Sequence, residues 1–285
     1  MQNNISLQNR NVRIVADSAA DILALRHIPF VSVPLKIITD QKEYVDNDRL
    51  SVERMVGDLK VYKGRSSTSC PNTEDWLAAF GDAPEVYCVT ITGTLSGSYN
   101  AALTAKQIYE EAHPDRRVFV FNTLTAAAEI RLIIEKIEEL LLEGMDFDGI
   151  CQSIPAYKQR TGLMFMLASM RNFANNGRVS PAVAKFAGLM GIRVVGKASD
   201  EGTLEAMHKC RGEKSALVQL YATMKELGFC GGKVRITHTY NPRAAVRLMA
   251  LIHEEFPSCG VEISHNGGLC AFYTETGGLL VGFEG

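Results

Sequence analysis

The strongest constraint on this chain is an alternation of short apolar runs with helix-length amphipathic segments through its first half. Val86 to Thr92 is a run of strand length. A Gly/Ser/Thr loop, Gly93 to Ser98, follows it. A helical pattern then runs from about Tyr99 to Ala112 and closes at His113-Pro114. Val118 to Phe121 is again strand-like. Ile130, Ile133, Ile134, Ile137 and Leu141 mark one face of a helix that Gly144 stops. Upstream, Val12 to Ala16 reads as a buried strand ending in a polar Asp17-Ser18 turn. Val31 to Ile38 reads as a second strand, with Pro34 arguing for an edge or a bend. Ser51 is placed to cap a helix through Leu59. This order predicts a parallel sheet with helices on both sides.

The pattern loosens after about residue 161. Leu163 to Leu167 looks like a strand, and a polar segment, Asn172 to Ser180, precedes an Ala-rich helix ending near Met190. Arg193 to Gly196 and Thr203 to His208 read as strands joined by a turn at Asp200-Glu201-Gly202. Helices are expected over Ser215 to Leu227 and Asn241 to Phe256. Strands are expected at Val234 to His238 and Val261 to Ser264, and two more apolar runs complete the chain. This half predicts a two-layer α/β unit, so the expected division is 1–161 and 162–285.

Bulk properties exclude several classes. Of 285 residues, 46% are hydrophobic and 22% charged, a globular composition. Thirty basic side chains face 32 acidic ones, so no global charge favours nucleic acid or an anionic membrane. Met1 to Arg10 is polar and lacks the apolar core of a signal peptide, and no apolar run is long enough to span a bilayer. A cytoplasmic protein without stable membrane insertion is expected. Seven scattered cysteines include no CxxC pair, and no metal-ligand spacing occurs. No metal or cofactor is therefore expected.

Four segments could carry chemistry. Ser66-Ser67-Thr68-Ser69 precedes Pro71-Asn72, where Asn72 is a good helix N-cap with Asp75 three residues on. That segment is either a solvated loop and cap or a hydroxyl cluster beside helix N–H groups that suits an anion. Thr92 to Ser98 leaves a strand and enters a helix, the usual ligand position in open α/β sheets. It matches neither a Walker A loop nor GxGxxG. Ser96 and Ser69 lack a GxSxG setting, so nucleophilic catalysis is not indicated. Arg178, after Gly177 in a turn-like segment, is either a solvated arginine or a guanidinium that reaches an anion; Arg211 has the same two readings. Adjacent Gly277-Gly278 marks a turn in the fourth segment, Tyr273 to Leu279.

Together these segments resemble the DegV family, nearly end to end. The resemblance runs through Ile14 to Asp21, Val33-Pro34-Leu35 and Tyr44-Val45-Asp46. Thr68-Ser69-Cys70-Pro71-Asn72 is similar to the family's Thr-Ser-Gln-Pro-Ser motif. Leu95-Ser96-Gly97-Ser98-Tyr99 is similar to Leu-Ser-Gly-Thr-Tyr, and Gly177-Arg178-Val179 to Gly-Arg-Ile. Cys70 and Asn72 depart from the Thr-Ser-Gln-Pro-Ser motif at its glutamine and final serine, and Asn122-Thr123 stands where the family commonly has Asp-Ser. Thr274-Glu275-Thr276-Gly277-Gly278 aligns with His-Thr-Gly-Pro-Gly, with Glu275 at the histidine.

The resemblance implies a two-domain α/β fold. One domain would be a three-layer α/β/α unit with a mainly parallel sheet, the other a two-layer α/β unit with a mixed sheet. It also implies non-enzymatic binding of one long-chain fatty acid, without a cofactor, and possible presentation to a fatty acid kinase that makes an acyl phosphate. The ligand contacts it implies are Thr68, Ser69, Ser96, Gly97, Arg178 and, at the histidine position, Glu275. Arg211 would meet a partner or a phosphate. A carboxylate at 275 facing the headgroup would repel it unless protonated or screened by Arg178. Two other readings stand beside this one. One is an enzyme acting on acyl or phosphate esters; the other is a regulatory interaction protein with an altered small-anion ligand.

Overall fold

The computed structural model describes residues 11–179, 183 and 191–285. Met1 to Arg10, Ser180 and, apart from Val183, the helix expected to end near Met190 lie outside the described residues.

Four parallel strands form the first sheet, in the order β2-β1-β6-β7. They are β1 (Val12–Asp17), β2 (Phe30–Val33), β6 (Glu85–Thr90) and β7 (Arg117–Asn122). Their near-continuous apolar character is explained by burial on both faces. Tyr87 and Val89 of β6 pack with helices α4 (Ala127–Leu142) and α5 (Phe147–Lys158). Val86 and Cys88, pointing the other way, pack with α2 (Thr73–Phe80) and α3 (Ser98–Ala112). The result is an α/β/α sandwich. Caps read from the sequence are present. Ser51 accepts the Arg54 N–H at 3.3 Å at the start of α1 (Val52–Val61), and Asn72 and Asp75 exchange two 2.9 Å bonds in a capping box. Gly144 follows α4 with φ of +83°, where a side chain would be strained.

The second sheet has six strands in the order β10-β9-β8-β13-β11-β12. They are β8 (Thr161–Leu167), β9 (Ile192–Ala198), β10 (Leu204–Arg211), β11 (Val234–His238), β12 (Val261–His265) and β13 (Leu279–Glu284). All pairings are antiparallel except β11 with β12, so the sheet is mixed. Helices α7 (Glu213–Glu226) and α8 (Pro242–Glu255) cover one face through Leu217, Leu220, Leu248 and Ile252.

The two sheets share α4. Its Ile130, Ile133, Ile134 and Ile137 face the parallel sheet, as the periodicity predicts. Leu132 on its other side is also buried, because β13 crosses that side closely. A Cβ at Gly282 would lie 2.5 Å from the Ala128 carbonyl, so glycine permits the approach. Arg235 of β11 binds Glu135 of α4 at 2.7 Å, and Lys158 binds the fully buried Glu129 at 2.8 Å.

Three features differ from the expected pattern. Val31 to Ile38 is two strands, because Pro34-Leu35 breaks the run. β3 (Lys36–Ile38) joins β4 (Glu43–Val45) and β5 (Ser67–Ser69) in a small antiparallel sheet. Helix α5 carries Pro155 inside it, and its pattern is not legible from periodicity alone. Short helices α6 (Arg171–Asn175) and α9 (Gly268–Thr274) sit beside the loops described next.

Candidate functional site

The carboxyl edge of the parallel sheet is tied together by one buried acid. Asp17, the last residue of β1, accepts the Ile91 N–H at 2.9 Å and the Ser98 O–H at 2.6 Å on the same oxygen. This clamps β1 to the loop after β6 and to the first residue of α3. Burial pushes the Asp17 carboxyl up to about 6, and the hydrogen bonds only partly oppose it. Next to it, Ser18 Oγ accepts the Leu35 N–H at 3.0 Å.

Ser96 and Gly97 lie on the clamped loop. Ser96 Oγ accepts the Ser98 N–H at 3.3 Å, which leaves its own proton to donate elsewhere. A Cβ at Gly97 would lie 3.1 Å from Cys70 Sγ, so the two hydroxyl-rich loops abut there. Thr68 and Ser69 come from β5, paired with Ile37 and Lys36 of β3. Thr68 Oγ1 lies 2.8 Å from the Tyr273 hydroxyl. Ser69 donates to the Cys70 carbonyl at 3.2 Å. Arg178 follows Gly177, whose φ of +68° makes the turn. Its Nε donates to the Leu95 carbonyl at 3.1 Å, which sets the guanidinium beside Ser96.

These contacts form one contiguous polar region in a cavity of about 310 Å³ between the two sheets. The rest of the lining is mostly apolar and includes Leu35, Ile91, Leu163, Leu204, Leu269 and Leu280. Among the described residues Arg178 is the one charged side chain of the lining, and no histidine, aspartate or glutamate belongs to it. The β9–β10 turn closes one side. Thr94 donates to the Glu201 carbonyl at 2.7 Å, and a Cβ at Gly202 would lie 2.1 Å from Thr92 Oγ1. Gly202 also has φ of +77°, so both space and backbone require glycine.

The structure thus brings Thr68, Ser69, Ser96, Gly97 and Arg178 to one cavity. It does not bring Glu275 there. Glu275 sits just past the end of α9 with φ of +52°. Its carboxylate accepts the Ser169 hydroxyl at 2.8 Å, the Asn172 N–H at 3.3 Å and the Arg171 guanidinium at 3.4 Å. It lines a separate polar cleft with Lys60, Lys63 and Arg171. The expected repulsion between Glu275 and a bound headgroup therefore has no geometric basis: local donors hold this acid elsewhere. Arg211 is exposed at the end of β10, opposite Ile192, and does not line the cavity.

Sequence reasoning flagged the segment that Tyr273 opens but missed the role of Tyr273 and of the acids that place it. Asp21 accepts the Gly267 N–H at 2.9 Å. Asp46 accepts the Gly268 and Leu269 N–H groups at 2.6 and 2.9 Å. These bonds meet the otherwise unpaired donors at the start of α9. Burial pushes both carboxyls up from their usual range. The Tyr273 ring stacks on Phe173 with centroids 4.8 Å apart. Asp21, Asp46 and Tyr273 all lay within segments already singled out, but Tyr273 drew no attention of its own beside the glycines that marked its segment.

Two packed α/β units around a largely apolar cavity with one polar region define a small-molecule-binding class of protein. The family model described as an uncharacterised protein, DegV family, matches residues 11–284. A DegV domain-containing protein of Streptococcus pneumoniae is 39% identical over 276 residues, 95% of this chain and 98% of the relative. A DegV family protein from Eubacterium eligens, solved loaded with heptadecanoic acid, is 43% identical with a TM-score of 0.94; the match covers 96% of this chain and 99% of that one. The Streptococcus pneumoniae fatty acid kinase (Fak) B3 protein, solved loaded with linoleic acid, is 38% identical with a TM-score of 0.93 and the same coverage. The chain belongs to the DegV family.

Proposed function

We propose that this protein is a non-enzymatic carrier that encloses one long-chain fatty acid and holds it by the carboxylate. The observation that carries this reading is the cavity lining: apolar walls, a cluster of hydroxyls and, among the described residues, a single cation. Burying an ionised carboxylate requires hydrogen bonds and a counter-charge. Thr68 and Ser96 offer hydroxyls, Ser69 offers a third by turning its proton away from the Cys70 carbonyl, Gly97 lets the chain approach the helix start, and Arg178 offers the charge. Each buried methylene adds about 0.8 kcal/mol, so the tail supplies most of the affinity. The heptadecanoic and linoleic acids carried by the two similar structures support the ligand class. A serine nucleophile would need a base, and no histidine lines the cavity among the described residues.

The same reading extends to a partner. One similar structure is a component of a fatty acid kinase. This chain would present its acid to an ATP-dependent kinase for acyl-phosphate formation, with exposed Arg211 available to the partner or to phosphate. Among the described residues no helix is long and apolar enough to cross a membrane, which suits a cytoplasmic carrier.

Mass spectrometry of an extract from denatured, purified protein tests the ligand. About one equivalent of a long-chain fatty acid is expected. A protein that emerges empty and takes up neither oleate nor palmitate would overturn the reading.

A further inference from the structure

Thr68 can serve a carboxylate only if its single proton points into the cavity. A threonine hydroxyl has one donor and rotates freely, so something must occupy its acceptor side and hold the rotor. The Tyr273 hydroxyl lies 2.8 Å from Thr68 Oγ1, in a contact where either oxygen can be the donor. Tyr273 is well placed for such a task. Its ring stacks on Phe173, and its helix is anchored by Asp21 and Asp46. Glu275, which the family resemblance counts among the ligand contacts, is engaged outside the cavity by Ser169, Arg171 and Asn172.

We propose that Tyr273 is the positioning residue of the headgroup site: its O–H donates to Thr68 Oγ1 and so turns the Thr68 proton toward the ligand carboxylate. This rests on the carrier reading given above. The phenol keeps the proton it needs, because burial pushes its pKa up. Two hydroxyls in series also polarise one another, which strengthens the terminal bond to an anion. Asp21 and Asp46 then act on the ligand indirectly, by fixing the helix that carries the phenol.

A double-mutant cycle with oleate as the probe tests this, with displacement of a fluorescent fatty acid as the readout. Tyr273→Phe keeps the stacked ring and removes one hydroxyl, so the fold and melting temperature should hold. Its oleate affinity should fall about fivefold to tenfold, the effect of one neutral hydrogen bond. In a Thr68→Val background the same change should cost less than about twofold, because the relay is already cut. Oleyl alcohol has no anion to receive the oriented proton, so its binding should barely respond to Tyr273→Phe.

Equal losses in the two backgrounds would show an independent contact and overturn the relay. An unchanged oleate affinity in Tyr273→Phe, with the wild type binding normally, would overturn the positioning role and leave the carrier reading standing. A wild-type protein that takes up no oleate would remove the carrier reading and this assignment together.

Discussion

Replacing Asp17 with asparagine should flatten the acid limb of the protein's stability profile. Asp17 is fully buried, and burial raises its carboxyl from 3.8 to about 6 in the folded state. A folded acid with a raised pKa binds its proton more tightly than the unfolded chain does. Between pH 3.8 and 6 the native state therefore carries the extra proton, and stability falls as pH rises through that window. The displacement is about two units, worth about 3 kcal/mol at 1.36 kcal/mol each. This contribution is fully present below the unfolded value and absent above the folded one. In Asp17→Asn the amide oxygen can still accept from Ile91 N–H and Ser98 O–H, which share one oxygen of the acid. The amide nitrogen takes the place of Oδ1, which has no hydrogen-bond partner among the described residues. Asp21 and Asp46 are raised in the same sense, but they remain in both proteins and largely cancel in the difference. The assay is urea unfolding of both proteins at half-unit steps from pH 4 to pH 7. The wild type should lose about 2 kcal/mol of that relative to the variant across this range, most of the rest falling below pH 4. Parallel profiles would refute the argument, because they would mean that Asp17 titrates alike in the folded and unfolded chains.

Three further outcomes follow from the same geometry. Ser96→Ala should weaken oleate binding about tenfold to a hundredfold, the value of one hydrogen bond to a charged group, while the melting temperature of ligand-free protein stays put; unchanged retention would remove Ser96 from the headgroup site. Ala126 lines the cavity, so Ala126→Leu should shorten the preferred acyl chain, with a loss of about fourfold for each methylene excluded; a chain-length series that matched the wild type would show that the tail runs elsewhere. Gly282→Val places a Cβ 2.5 Å from the α4 backbone and should cost at least about 2 kcal/mol in urea unfolding, since both cores lean on that helix; a change below about 0.5 kcal/mol would mean that α4 can shift freely.

Local chemistry decided much of this protein before any packing was known. The strands β1, β6, β7 and β8 were legible because buried strands are continuously apolar over their whole length. The capping box at Asn72, the cap at Ser51 and the stop at Gly144 were legible because they involve residues within three or four positions of each other. The hydroxyl segment Gly93 to Ser98 was legible as a loop, whereas Ser67–Ser69 was read as a loop and is strand β5; the family resemblance joined both to Arg178. The sheet order, the small third sheet and the two-sided burial of α4 had no local signature. They depend on where β13 returns, and only Gly282 marks that crossing.

The site divides in the same way. Ser96, Gly97 and Arg178 sit in turn-like motifs that announce themselves, and Thr68 and Ser69 stand out as part of a hydroxyl run, although they lie on strand β5. Tyr273 does not, because its partner Thr68 lies 205 residues away in the chain. Glu275 drew attention by alignment, yet its direction is set by three donors from residues 169–172. Hydrogen bonds between distant segments exist only after both sheets have packed, and a one-dimensional pattern records residue types without recording which way a side chain turns. The identity of the donors was therefore written in the sequence, and the choice of which of them face the ligand was made by tertiary packing.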